Sequence, residues 1–141
     1  MALRFEPAFY SKYLAGTDKA GKYGAFAACS VGLLQIMFVV AREDGFTGEP
    51  WDLFKPDVNL DVGTRHLATL RKRIIHAGGA AVTQAVDQQP TLLVRATLAA
   101  YNGGLAGNVG PPLRNQAYVE KVIAQWRRLR DARQAVTPTD V

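Results

Sequence analysis

The chain has 141 residues, 48% of them hydrophobic and 21% charged, with a formal net charge of +5. That hydrophobic share excludes a disordered polyelectrolyte, and the length leaves room for a single domain with a real core. A pI near 9.6 points to polyanionic partners, and charge alone does not separate nucleic acid, anionic lipid and bacterial cell wall.

In chain order, the opening Met-Ala-Leu-Arg-Phe-Glu-Pro lacks the basic start and apolar stretch of an export signal. Synthesis in the cytoplasm without a signal peptide is therefore expected, and a target outside it would require separate delivery. Pro7 suits the first turn of a short helix through Leu14, and Ala15 to Gly24, with three glycines and several charges, reads as a loop and a possible cleft edge. Cys29 is the only cysteine, which excludes an internal disulfide and suits a small buried thiol.

Gly32 to Glu43 carries Leu33, Leu34, Ile36, Met37, Val40 and Ala41, a pattern broad enough for a central helix that Gly45 would stop. A Gly- and Pro-rich turn follows. Asp57 to Ala77 then predicts a helix with Leu60, Gly63, Leu67, Leu70 and Ile74 on one stripe, capped by Asn59 or Asp57 and ended by Gly78 and Gly79. Ala80 to Asp87 fits a short helix.

Pro90 opens another helix, Thr91 to about Tyr101, whose alanines suggest close packing. Asn102 to Pro112 is a loop with four glycines and two prolines, and Gln116 to about Ala135 is a final amphipathic helix bearing Tyr118, Val122, Ile123, Trp126 and Leu129. Residues 136–141 read as a disordered tail. No segment shows the alternation of a half-buried strand and no apolar run reaches the ~20 residues of a membrane span, so the expected fold is all-α, in one domain over residues 1–135.

Three segments carry polar groups in unexpected settings. In Gly32-Leu33-Leu34-Gln35-Ile36-Met37 one amide interrupts an apolar run, so Gln35 must either bond to backbone in the core or face a cleft. Ala99-Ala100-Tyr101-Asn102-Gly103-Gly104 presents a phenol and an amide where a helix ends, a pattern that also suits an ordinary helix stop. The stretch from Leu53 to Leu67 reads as scaffold, with Gly63 allowing a neighbour to approach closely.

In this order the three segments resemble the soluble lytic transglycosylases and the related goose-type lysozymes, whose pattern runs Gly-Leu-Met-Gln-Ile-Met, Asn-hydrophobic-x-x-Gly, Ala-Tyr-Asn-Gly and a Tyr-Val helix, here Ala117-Tyr118-Val119-Glu120-Lys121-Val122. Arg4-Phe5-Glu6-Pro7 is similar to a phage and bacterial subgroup. The resemblance covers roughly residues 1 to 126. It implies a lysozyme-like domain with a glycan-binding cleft, peptidoglycan strands as substrate, no cofactor, and delivery to the wall by a phage lysis or secretion system.

The same resemblance implies cleavage of the bond between N-acetylmuramic acid and N-acetylglucosamine. One glutamic acid protonates the glycosidic oxygen, the substrate's N-acetyl group stabilises the sugar cation, and the muramyl 6-hydroxyl gives its proton to the carboxylate as it closes an anhydro ring. A second carboxylate is then not obligatory, unlike the usual glycosidase pair. In the subgroup that glutamate, followed by serine, lies roughly ten residues before the Glu-Pro pair, a position ahead of Met1. Three readings follow: a truncated chain, substitution by Glu6, or a domain that binds glycan without cutting it.

The candidate residues are thus Glu6 as acid, with an ion pair to Arg4 as its alternative role, and Gln35, Met37, Tyr101 and Asn102 lining the cleft with Ser30 and Tyr118 nearby. Gln35 and Tyr101 are expected to converge on one sugar-sized groove. His66 and His76 lack partners at metal-ligand spacing and read as surface or helix-end residues, so no metal site is expected. The glycines at 103, 104, 107 and 110 lack a phosphate-loop ending. Arg127, Arg128, Arg130 and Arg133 form a solvated or wall-attracted face, Trp126 fits a core position, and nothing beyond charge favours nucleic acid. A monomer without membrane insertion is expected.

Overall fold

The computed structural model describes residues 2–136, which fold as two compact units, one through Thr69 and one from Leu70 onward. The first unit contains β1 (Leu3–Phe5), α1 (Pro7–Phe9) running into a π-helical turn (Tyr10–Leu14), α2 (Asp18–Tyr23), a 3-10 turn (Gly24–Ala28), β2 (Cys29–Val31), β3 (Ile36–Met37), α3 (Phe38–Glu43) and a second 3-10 turn (Pro50–Phe54). Helix α4 (Pro56–Gln88) begins there and carries the chain into the second unit, which adds α5 (Pro90–Gly103) and α6 (Gln116–Val136). Helices dominate, as the periodicity predicts.

The strands are the first departure. β1, β2 and β3 form an antiparallel sheet in that order, with Arg4 opposite Ser30 and Ser30 opposite Met37. Strands of two or three residues are too short to show a period of two, and β2 is buried throughout, so no alternation exists to be read.

The expected central helix over 32–43 is therefore a correction. Its first part is the turn between β2 and β3, and only Phe38–Glu43 is helical. Gly32 at φ +75° and Gln35 at φ +49° make the reversal, with the Gln35 amide donating to the Gly32 carbonyl at 3.2 Å. A side chain on Gly32 would also collide, its Cβ standing 2.6 Å from Asn59 Cγ and 2.7 Å from the Leu53 carbonyl oxygen. A short apolar run does not distinguish a buried helix from a buried hairpin.

Ala15 to Gly24, expected as a loop, contains α2. Thr17 caps it, its hydroxyl accepting from the Ala20 amide and donating to the Leu14 carbonyl. Six residues with two charged lysines and no apolar stripe give no helical signature, so the cap was the only signal.

Asn59 does not cap α4. It is fully buried, donates from Nδ2 to the carbonyls of Val31 and Leu53 at 2.9 Å each, and accepts at Oδ1 from the Leu34 amide at 2.8 Å. One side chain thus satisfies three backbone groups of the hairpin and the 3-10 turn. Gly63, one turn further, lets Leu34 lie against the helix, since a Cβ there would stand 3.1 Å from Leu34 Cβ. Val62, not Leu60, faces the core: Leu60 is 46% exposed and Val62 2%.

The core of this unit gathers Val31, Ile36, Phe38, Leu53 and Val62 beside a second cluster of Leu14, Ala27, Ala28 and Val39. Each large apolar side chain so enclosed contributes roughly 1.5–3 kcal/mol. The Arg42 guanidinium lies over the rings of Tyr23, Phe38 and Phe46 and donates to the Phe46 carbonyl at 3.0 Å, tying the loop after α3 to the core.

Helix α4 breaks at Gly79, whose φ of 57° and ψ of −153° only glycine adopts readily, in agreement with the expected stop. In the second unit Leu70 and Ile74 of α4 pack with Leu93, Ala96, Ala99 and Ala100 of α5, Leu113, and Val119 of α6. The alanines of α5 allow α6 to approach closely, and Arg95 pairs with Glu120 across the two helices. Trp126 is not a core residue: it and Leu129 are 57% and 58% exposed, with the Arg130 guanidinium 5.0 Å from the Trp126 ring. The tail expected over 136–141 lies, apart from the backbone of Val136, outside the described residues.

Candidate functional site

The first unit places Ser30, Gln35 and Met37 on one hairpin. Ser30 is 4% exposed and faces Met37 in register, while Met37 is half-buried and packs on the Leu14, Ala27, Ala28 and Val39 cluster. Gln35 is half-buried at the end of the turn. Its Nε2 donates to the carbonyls of Gly32 at 2.9 Å and Ala2 at 3.2 Å, which fixes the orientation of the amide.

Glu6 follows β1 and precedes α1, with its backbone amide bonded to the Ala28 carbonyl at 3.0 Å. Its carboxylate is engaged by the Arg4 guanidinium, Nε to Oε1 at 2.6 Å, so the ion pair considered as its alternative role is formed. In β1, Arg4 lies opposite Ser30 of β2.

The second unit holds Tyr101, Asn102 and Tyr118. Tyr101, in the last turn of α5, is half-buried against the second-unit core. Desolvation, aided by the neighbouring Tyr118, pushes its phenol up to about 12, so the hydroxyl stays a neutral donor across the physiological range. Asn102 is exposed, its Oδ1 accepting from Asn115 Nδ2 at 2.8 Å, and Gly104 at φ +75° ends the helix just beyond it. The candidate residues thus fall into two sets, one in each unit.

Three residues of interest carried no sequence signal. His66 is no surface group: its Nδ1 lies 2.5 Å from Asp44 Oδ2, with side-chain exposures of 12% and 3%. The partners are 22 residues apart in the chain, and no local spacing reveals such a pair. Asn108, fully buried, and Asn115 organise the loop after α5. A cleft of about 400 Å³ in the first unit is lined by Phe46, Asp57, Asp61 and Arg65 among others, and none of the expected site residues lines it. Among the described residues no group of three His, Cys, Asp or Glu side chains is placed to hold a metal, and no helix is long and apolar enough to cross a membrane.

A helix-dominated fold with a small sheet, a glutamine-bearing hairpin, and a tyrosine-asparagine pair at a helix end define a lysozyme-like all-α protein. The family model for the transglycosylase SLT domain matches residues 4–122, so the chain belongs to that family, whose members are peptidoglycan lytic transglycosylases. No curated protein and no solved structure matches it.

Proposed function

We propose that the chain cleaves the N-acetylmuramic acid to N-acetylglucosamine bond of peptidoglycan without water, leaving an anhydro-muramyl end. The family match over residues 4–122 carries this reading, because the matched range spans Glu6, Ser30, Gln35, Met37, Tyr101, Asn102 and Tyr118 together. In this scheme Gln35 in the first unit and, independently, Asn102 and the neutral Tyr101 phenol in the second are the residues that contact the glycan strand.

Glu6 is the candidate acid. To serve, its carboxylate must first be released by Arg4, and a glutamic acid needs an apolar wall to stay protonated near neutrality. The Arg4 pairing is the specific observation favouring a second reading: a peptidoglycan-binding domain of the same fold that lacks its acid.

Digestion of purified peptidoglycan by the full chain, with mass spectrometry of the released muropeptides, separates the readings. Anhydro ends that disappear in Glu6→Gln support the proposal with Glu6 as acid. Reducing ends would assign the hydrolytic route of goose-type lysozymes. Co-sedimentation with peptidoglycan and no released fragments would assign the binding domain.

A further inference from the structure

The loop after α5 contains a chain of amide contacts whose direction is set by backbone groups at both ends. The Asn115 backbone N–H can only donate, and it donates to Asn108 Oδ1 at 3.0 Å. The Gly104 carbonyl can only accept, and it receives Asn108 Nδ2 at 2.8 Å. Asn108 is fully buried, so this orientation is locked.

Asn115 is fixed in the same manner. Its Nδ2 points to the Ala99 carbonyl at 3.4 Å and to Asn102 at 2.8 Å. A carbonyl on that side requires nitrogen there, and the Asn102 atom that meets it must then be the acceptor Oδ1. The two N–H groups of Asn102 are what remains for a ligand. Gly103 is needed for this arrangement, since a Cβ there would stand 2.8 Å from Asn115 Nδ2 and 3.3 Å from Asn108 Nδ2.

We propose that Asn115 and Asn108 are positioning residues that hold the Asn102 side chain as a hydrogen-bond donor toward an acetamido carbonyl oxygen of the glycan, an inference that rests on Asn102 binding peptidoglycan. The amide neither accepts nor ionises in this role. It therefore favours N-acetylated sugars over the same sugars bearing a free ammonium, which offers no acceptor.

The test uses the full chain and a soluble N-acetylglucosamine oligomer, with side-chain amide signals followed by NMR. The Asn102 N–H pair is expected to shift on titration while those of Asn108 and Asn115 stay in place. Asn115→Asp presents only acceptors, which turns the Asn102 nitrogen inward, so oligomer affinity should fall about tenfold with the melting temperature nearly kept. Asn102→Ala should cost little further affinity in that background, whereas alone it should cost about as much as Asn115→Asp.

Wild-type affinity in a folded Asn115→Asp protein would overturn the proposal. If that variant does not fold, the wild-type titration decides, and an Asn102 pair unmoved at saturation overturns it as well. A wild-type chain that ignores the oligomer, together with an Asn115→Asp chain whose Asn102 amide has reversed, would support the positioning role and remove the glycan reading alone.

Discussion

Burial of the Tyr101 phenol has a measurable consequence. Tyr101 is expected to ionise near pH 12 in an ultraviolet titration, and that inflection should vanish in Tyr101→Phe. Because the folded value is raised above the ordinary 10.0, the neutral phenol's contribution to stability is complete below about pH 10 and is lost as pH climbs toward 12. Asn59 is the second sensitive position. Asn59→Ala removes three hydrogen bonds made by one fully buried side chain, and a loss of about 3–5 kcal/mol in denaturant unfolding is expected. The Tyr101-Asn102 pair was legible in sequence because it sits at a helix end marked by glycines. The role of Asn59 was not, since a cap and a tertiary tie use the same amide and only its partners, 25 and 28 residues back at Leu34 and Val31, decide between them.

Backbone geometry at two glycine-like positions tests the elements. A Cβ on Gly79 would meet nothing within 4 Å, so Gly79→Ala should cost only the backbone strain of its conformation, about 1–3 kcal/mol, and hydrogen exchange should rise first around the break in α4. Gln35 presents the opposite case, a non-glycine residue at φ +49°. Gln35→Gly relieves roughly 1 kcal/mol of left-handed strain but loses two side-chain hydrogen bonds, so the melting temperature should change little while affinity for peptidoglycan falls. A protein conserving both would show that Gln35 contacts no glycan. Helices α5 and α6 were readable because each has a Pro or polar start, a sustained apolar period and a clear end. The hairpin and α2 were unreadable because elements of two to six residues are shorter than the periods that identify them.

For the whole molecule the positive charge should matter most outside the site. With a net charge of +5, retention on peptidoglycan is expected to weaken as ionic strength rises, and a salt-insensitive pull-down would assign binding to neutral contacts alone. The sequence by itself determined the helical class, the starts of α5 and α6, the break at Gly79 and the family, because propensity, periodicity and ordered short motifs are local properties that need no distant partner. Only the tertiary structure decided the β2–β3 turn, the burial of Val62 in place of Leu60, the exposure of Trp126 and the pairing of His66 with Asp44. Each of these depends on which surfaces meet across 20 or more residues of chain or remain uncovered, and a local apolar pattern fits both outcomes.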